Sequence, residues 1–306
     1  MRVFEEGEQL DSPDPAHRVF VSYVDKSREY YLAQNFNNPY RWAHNDTAPW
    51  TALSKPLARS RVGLVTTSSL VTWEGTEPNP GDVPNVVFAA PVQPPPDRLY
   101  TMHRFWDKDA THTNDVESFC PIRRLSEARD AGRISSLSPR FYGVPTEYSQ
   151  RKTNEVDAPA VLRFCQEDAV DIAILVPLCP VCHQTASLTA RHLEANGIPT
   201  VIVGSARDIV EQVAVPRFVF TDFPLGNPCG APYDAAMQTS IVGMSLDLLE
   251  KAWQPQTTVQ TPFHWPTDDW RANFMRIGED NIEDLRRQGE ERQRRQAARR
   301  ASVAGG

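Results

Sequence analysis

Four stretches of the chain are apolar with little alternation, and they set its architecture. Residues 61–68, 171–178, 198–203 and 217–221 read as strands covered on both faces, the pattern of a parallel sheet between helices. Helical spacing fills the intervals. Ala186, Leu188, Ala190 and Leu193 share a face of a helix from about Thr185 to Ala195, which Asn196-Gly197 stops. Val156–Ala169 reads as a helix with Cys165 on its buried side, and Ala206–Gln212 as a shorter one. Tyr233–Trp253 is a long amphipathic helix that should cover a sheet face. Pro121–Asp130 forms a helix stopped by Gly132, and Val24–Asn38 another ahead of the first strand. Strands alternating with helices over short links predict right-handed crossovers. The expected fold is therefore α/β, a three-layer sandwich with a mainly parallel sheet.

The remaining segments are less regular. Glu74–Asp97 is rich in Pro and Gly and reads as a long loop with a short strand at Val86–Ala89. Arg98–Trp106, RLYTMHRFW, alternates imperfectly and reads as a further strand. Asp107, Asp109, His112, Asn114 and Asp115 crowd the polar loop after it. The chain divides into an N-terminal arm and helix (1–58), an α/β domain (59–255), and a C-terminal linker with a charged, solvated helix (256–306). Tyr30, Tyr31, Phe36, Tyr40, Trp42 and Trp50 make the arm aromatic. Such rings either pin the arm to the core or wall a pocket. Arg286–Arg300 holds seven arginines against two glutamates, with no apolar spacing after Leu285.

Composition narrows the classes. A net charge of −7 gives the body no electrostatic case for nucleic acid. No apolar run approaches membrane-spanning length. The acidic, polar start carries no secretory signal pattern, so a cytoplasmic location with reduced thiols is expected. The five cysteines, Cys120, Cys165, Cys179, Cys182 and Cys229, form an odd set that argues against a structural disulfide framework. Cys165 reads as an inert core thiol.

The chemistry concentrates at Cys179-Pro180-Val181-Cys182-His183, between the second strand and its helix. Sites in open α/β sheets form beyond the carboxyl ends of strands. A helix N-terminus favours an anion there, so it lowers a thiol pKa. Cys179 would be the exposed nucleophile, Cys182 the resolving thiol one turn on, and His183 a proton donor or hydrogen-bond partner. Other readings of CxxCH stay open. Attachment of c-type haem requires export and an axial ligand. Zinc requires two further ligands, for which His183, Cys229 and His112 are the candidates. A structural pair requires neither. The hydroxyls of Thr66, Thr67, Ser68 and Ser69 suit a loop over a ligand, and Gly226 and Gly230 would let backbone approach one closely.

The segment Cys179-Pro-Val-Cys182-His183-Gln-Thr185-Ala186 resembles the active-site segment of the selenoprotein B subunits of D-proline reductase and of the glycine, sarcosine and betaine reductases. Those proteins carry selenocysteine-x-x-Cys here, and Cys179 stands at the selenocysteine position. Asp115–Phe141 resembles the family's Asp…PIxRLxEL…GxI…xP segment, and Phe223–Pro232 its Pro-x-Gly-x-x-x-Gly-x-Pro loop. The resemblance spans roughly Arg59–Trp253. It implies reductive cleavage of a C–N bond in an amino acid or derivative by a dithiol/disulfide couple. Cys179, Cys182 and His183 would be catalytic. Thr67, Ser68, Thr185, Gly226, Asn227 and Gly230 would bind substrate. No cofactor is implied on this chain. A thioredoxin-like donor is implied, as is a second subunit bearing a pyruvoyl group, and a homo-oligomer stays open. Two other classes compete: a non-redox racemase- or lyase-like enzyme with Cys179 as base, and a zinc- or ligand-binding module without turnover.

Overall fold

The computed structural model describes residues 20–304 apart from 39, 72, 74 and 147, so the first 19 residues of the expected N-terminal arm lie outside the described residues. Its strands are β1 (Arg61–Thr66), β2 (Phe88–Pro91), β3 (Ser136–Leu137), β4 (Arg140–Gly143), β5 (Ile172–Val176), β6 (Thr200–Gly204), β7 (Arg217–Phe220) and β8 (Thr257–Gln260). They form one sheet in the order β2-β4-β1-β5-β6-β7-β8, with β3 also on β1. Every pairing is parallel except β2 on β4 at one edge. β3 and β4 lie along successive parts of β1 and are separated by Ser138-Pro139, where proline has no N–H to donate.

The helices are α1 (Tyr23–Ala33), α2 (Ile122–Asp130), α3 (Gln150–Lys152), α4 (Ala158–Glu167), α5 (Pro180–Ala195), α6 (Arg207–Val213), α7 (Ala235–Lys251), α8 (Trp270–Asn273) and α9 (Ile282–Ala304). A π-helical turn over Thr153–Asp157 joins α3 to α4. Successive strand residues face opposite layers. Ile172 and Ile174 meet Ile122 and Leu125 of α2 and Ile241, Leu246 and Leu249 of α7. Ala173 and Leu175 meet Val161 and Cys165 of α4, Ala186, Ala190 and Leu193 of α5, and Val210 of α6. Both faces being covered explains why β5 reads IAILV without a polar residue. The fold is the expected three-layer α/β sandwich.

Three segments depart from expectation. Thr257–Gln260 adds the edge strand β8, which its polar sequence does not announce. Arg98–Trp106 is not a strand: only Tyr100 bridges, to Ser69. The Trp106 Nε1–H and the Lys108 ammonium donate to the carbonyls of Thr101 and Met102 at 3.0 and 2.8 Å, groups a strand would offer to a neighbour. Third, α9 docks on α1 near its start. Leu285 is buried, Gly289 sits against the Gln34 carbonyl where no side chain would fit, and Arg292 lies over the Tyr31 ring. Among the described residues no helix is long and apolar enough to cross a membrane.

Candidate active site

The sheet delivers four segments to its carboxyl edge: Thr67–Ser69 after β1, Leu178–Cys182 after β5, Ser205 after β6 and Thr221–Gly230 after β7. Cys179 caps α5 from extended backbone (φ −127°, ψ 170°), and its Sγ accepts from the Cys182 N–H at 3.3 Å. Pro180 occupies the first helical position, where no amide partner is needed. This start places Cys179 and Cys182 one turn apart, with Cα atoms 4.8 Å apart, and their sulfurs are joined as a disulfide. Cys179 is 2% exposed rather than open to solvent, yet it lines a cavity together with Tyr40 and Trp42 of an aromatic strap, residues 40–51. Cys182 is fully buried, and its sulfur lies 3.0 Å from the Thr146 hydroxyl.

His183 is buried beneath this pair. Its Nε2 accepts from the Ser205 N–H at 2.9 Å, which puts the ring proton on Nδ1, and Nδ1–H donates to the Cys179 carbonyl at 2.8 Å. Both ring nitrogens are thus spent on backbone at the two strand ends. Burial pushes the His183 pKa down to about 4. Gly204 makes room for the ring: a Cβ there would lie 2.8 Å from it.

The cavity over Cys179 holds about 440 Å³. Tyr31, Tyr40, Trp42, Phe105 and Tyr148 wall it, with Arg28, Asn85, His103, Arg104 and Thr146 as polar lining. A wider cleft of about 710 Å³ adjoins it, sharing Tyr31, Tyr40, Phe105 and Tyr148 and reaching Arg41 and Arg292. The aromatic segment therefore does both things expected of it. Tyr40 and Trp42 wall the cavity, whereas Trp50 stacks under the Arg217 guanidinium at 3.9 Å and pins the strap.

The other anticipated residues surround this centre without lining its cavity. The Thr67 hydroxyl accepts the Leu178 N–H at 3.1 Å and so fixes the residue before Cys179. Ser68 bonds Thr66 at 3.0 Å, and Thr185 is buried within α5. Gly226 and Gly230 both have φ of +124°, a glycine conformation, but the groups closest to them are the Trp106 ring and Gln238. Asn227 is buried and donates to the His112 carbonyl at 3.0 Å and to Ser118 Oγ at 2.8 Å, tying the 107–115 loop to the 223–232 loop. Cys229 is buried beside Cys120, and burial raises both thiols well above their usual range. Cys165 is a buried core thiol pushed up to about 12. Among the described residues no three His, Cys, Asp or Glu side chains converge as metal ligands would.

Sequence reasoning missed His103, Arg104, Asn85, Thr146 and Tyr148. The available signal was His103-Arg104 between the apolar and aromatic residues of RLYTMHRFW.

Fold and site together define an α/β protein with a thiol–disulfide pair at a strand–helix junction. The chain is similar to D-proline reductase subunit gamma of Acetoanaerobium sticklandii: 27% identical over 218 residues, covering 71% of this chain and 89% of that protein. This is a distant relationship to a reductase, in agreement with the motif resemblance, and it supports a reductase-like role. No family profile and no solved structure matches the chain.

Proposed function

We propose that the protein is a thiol-dependent oxidoreductase that reductively cleaves a C–N bond next to a carbonyl or carboxylate in an amino acid or derivative. The observation that carries this reading is the bonded Cys179–Cys182 pair in the first turn of α5, with Cys179 on the wall of a ligand-sized cavity.

In the reduced protein the Cys179 thiolate, favoured by the helix N-terminus, attacks the carbon and displaces the amine, which takes a proton. Cys182 then attacks the Cys179 sulfur. The S–S bond forms, the C–S bond breaks, and its electron pair leaves on the carbon, which takes a second proton. Two thiols become a disulfide, and a C–N bond becomes C–H and N–H. A thioredoxin-like dithiol restores the pair. His183 acts by positioning the Cys179 backbone, since both its nitrogens are engaged. The relative's name as a subunit supports a partner chain. These steps use only residues of this chain, and a pyruvoyl-bearing partner stands outside them.

The test is a screen of amino acids and betaines against reduced wild type and Cys182→Ser, read by intact mass. Wild type should accumulate the Cys179–Cys182 disulfide, and Cys182→Ser should stall as a covalent adduct on Cys179. Multiple turnover by Cys182→Ser would remove the dithiol mechanism even if Cys179 were essential, leaving Cys179 as a base or simple nucleophile.

A further inference from the structure

Arg104 is a buried cation, 5% exposed, on the cavity wall. Among the described residues it has no carboxylate partner, although a buried charge is costly unless paired. Its Nε–H donates to the Thr67 carbonyl at 2.8 Å, Nη1 to Asn85 Oδ1 at 3.0 Å, and Nη2 to Ser69 Oγ at 3.4 Å. A guanidinium has five N–H groups, so two stay unspent. His103, the next residue, also lines the cavity. Its Nε2 lies 3.0 Å from Ser69 Oγ, while its Nδ1 is buried without a partner. Either tautomer suits the Ser69 contact, since a hydroxyl that accepts from Arg104 keeps a second lone pair and its own O–H. The cavity wall therefore holds a fixed guanidinium with two N–H groups that lack an acceptor among the described residues, beside the imidazole of His103.

We propose that this is a carboxylate-binding site, in which Arg104, with His103 beside it, holds the carboxylate of an organic acid whose large apolar body fills the aromatic chamber. Arg's planar fork matches a carboxylate in a way a point charge does not. The chamber's 440 Å³ lies in the range of about 300–1,000 Å³ in which proteins enclose drug-sized ligands. Glycine or proline would leave most of it empty. The site is tied to the reacting sulfur by two bonds through one residue: Arg104 to the Thr67 carbonyl, and the Leu178 N–H to the Thr67 hydroxyl. Burial lowers Arg104 to about 9 and His103 to about 3, so at neutral pH the arginine is charged and the imidazole neutral.

This rests on reading the cavity over Cys179 as the substrate chamber, so its test uses the oxidised, full-length protein and needs no turnover. Binding of 3-phenylpropionate, 3-phenylpropanamide and glycine is measured by calorimetry. The acid should bind roughly 10- to 100-fold more tightly than its amide, the difference between a charge-assisted and a neutral contact, and more tightly than glycine by a similar factor. Arg104→Met should erase the preference for acid over amide, and Arg104→Lys should keep part of it. Equal binding of acid and amide by wild type, binding of glycine as tight as that of the acid, or no binding of the acid at millimolar concentration would overturn the proposal whether or not the variants fold. None of these results bears on whether Cys182→Ser traps an adduct.

Discussion

His183 carries the tightest constraints at the site. It is buried and neutral, Gly204 leaves just enough room for its ring, and it joins the end of β5 to the start of the chain after β6. Its pKa is about 4 in the folded protein against 6.5 unperturbed, so the unfolded state binds more protons between those values. The stability this residue contributes is complete above about pH 6.5 and is lost as pH falls through 4. His103, depressed to about 3, acts in the same direction and extends the loss lower. Urea denaturation midpoints measured from pH 7.5 to 4 should fall over this window, and His183→Gln should flatten the upper part of the curve. An unchanged slope in that variant would show that the buried ring is not what titrates. The tautomer also explains why the motif alone misleads. CxxCH suggests a proton donor at the fifth position, but the helix that makes Cys179 its cap turns His183 inward.

At the scale of elements, α5 organises both the reactive pair and the strap that covers it. Glu194 accepts from Arg217 Nη1 at 2.8 Å, from the Thr200 amide and from the Thr51 amide at 2.7 Å, and Arg217 in turn donates to the Thr51 carbonyl at 2.9 Å. Gln184 receives the Ala43 N–H at 2.8 Å and donates to the Tyr40 hydroxyl at 2.6 Å. Both members of the Glu194–Arg217 pair are almost wholly buried, so Glu194→Ala strands a charge and should cost about 3–5 kcal/mol. The strap should loosen with it, and acrylamide should then quench Trp42 and Trp50 fluorescence more strongly. A stable variant with unchanged quenching would show that the strap is held by its rings alone.

The same elements show what was legible in the sequence. The four central strands announce themselves because both their faces are covered, which leaves their interiors apolar and confines Arg61, Thr66, Thr200 and Arg217 to the strand ends. β8 pairs on one side only and reads TTVQ, and α9 docks through Leu285, Gly289 and Arg292, of which Leu285 alone carries an apolar signal. Cys179 and Cys182 were legible because one local motif contains them. The chamber was not, because Tyr31, Trp42, Asn85, Arg104 and Thr146 come from five separate segments that only the fold brings together.

For the whole molecule, the parallel sheet gathers its strand ends at one edge, the aromatic strap and the segments 80–85 and 103–105 wall the cavity at that edge, and Cys179 of the thiol pair lines it. The proposed chemistry requires Cys179 and Cys182 to interconvert as a unit inside an intact fold. Titration against a graded dithiothreitol couple, with differential alkylation mapped by mass spectrometry and near-ultraviolet circular dichroism recorded in parallel, examines this without a substrate. Cys179 and Cys182 should become labelled together, following a two-electron curve of about 30 mV per tenfold change. Cys120, Cys165 and Cys229, all buried, should stay unlabelled and the dichroism unchanged. Independent labelling of Cys179 and Cys182, or reduction only with loss of tertiary structure, would be incompatible with a working redox pair.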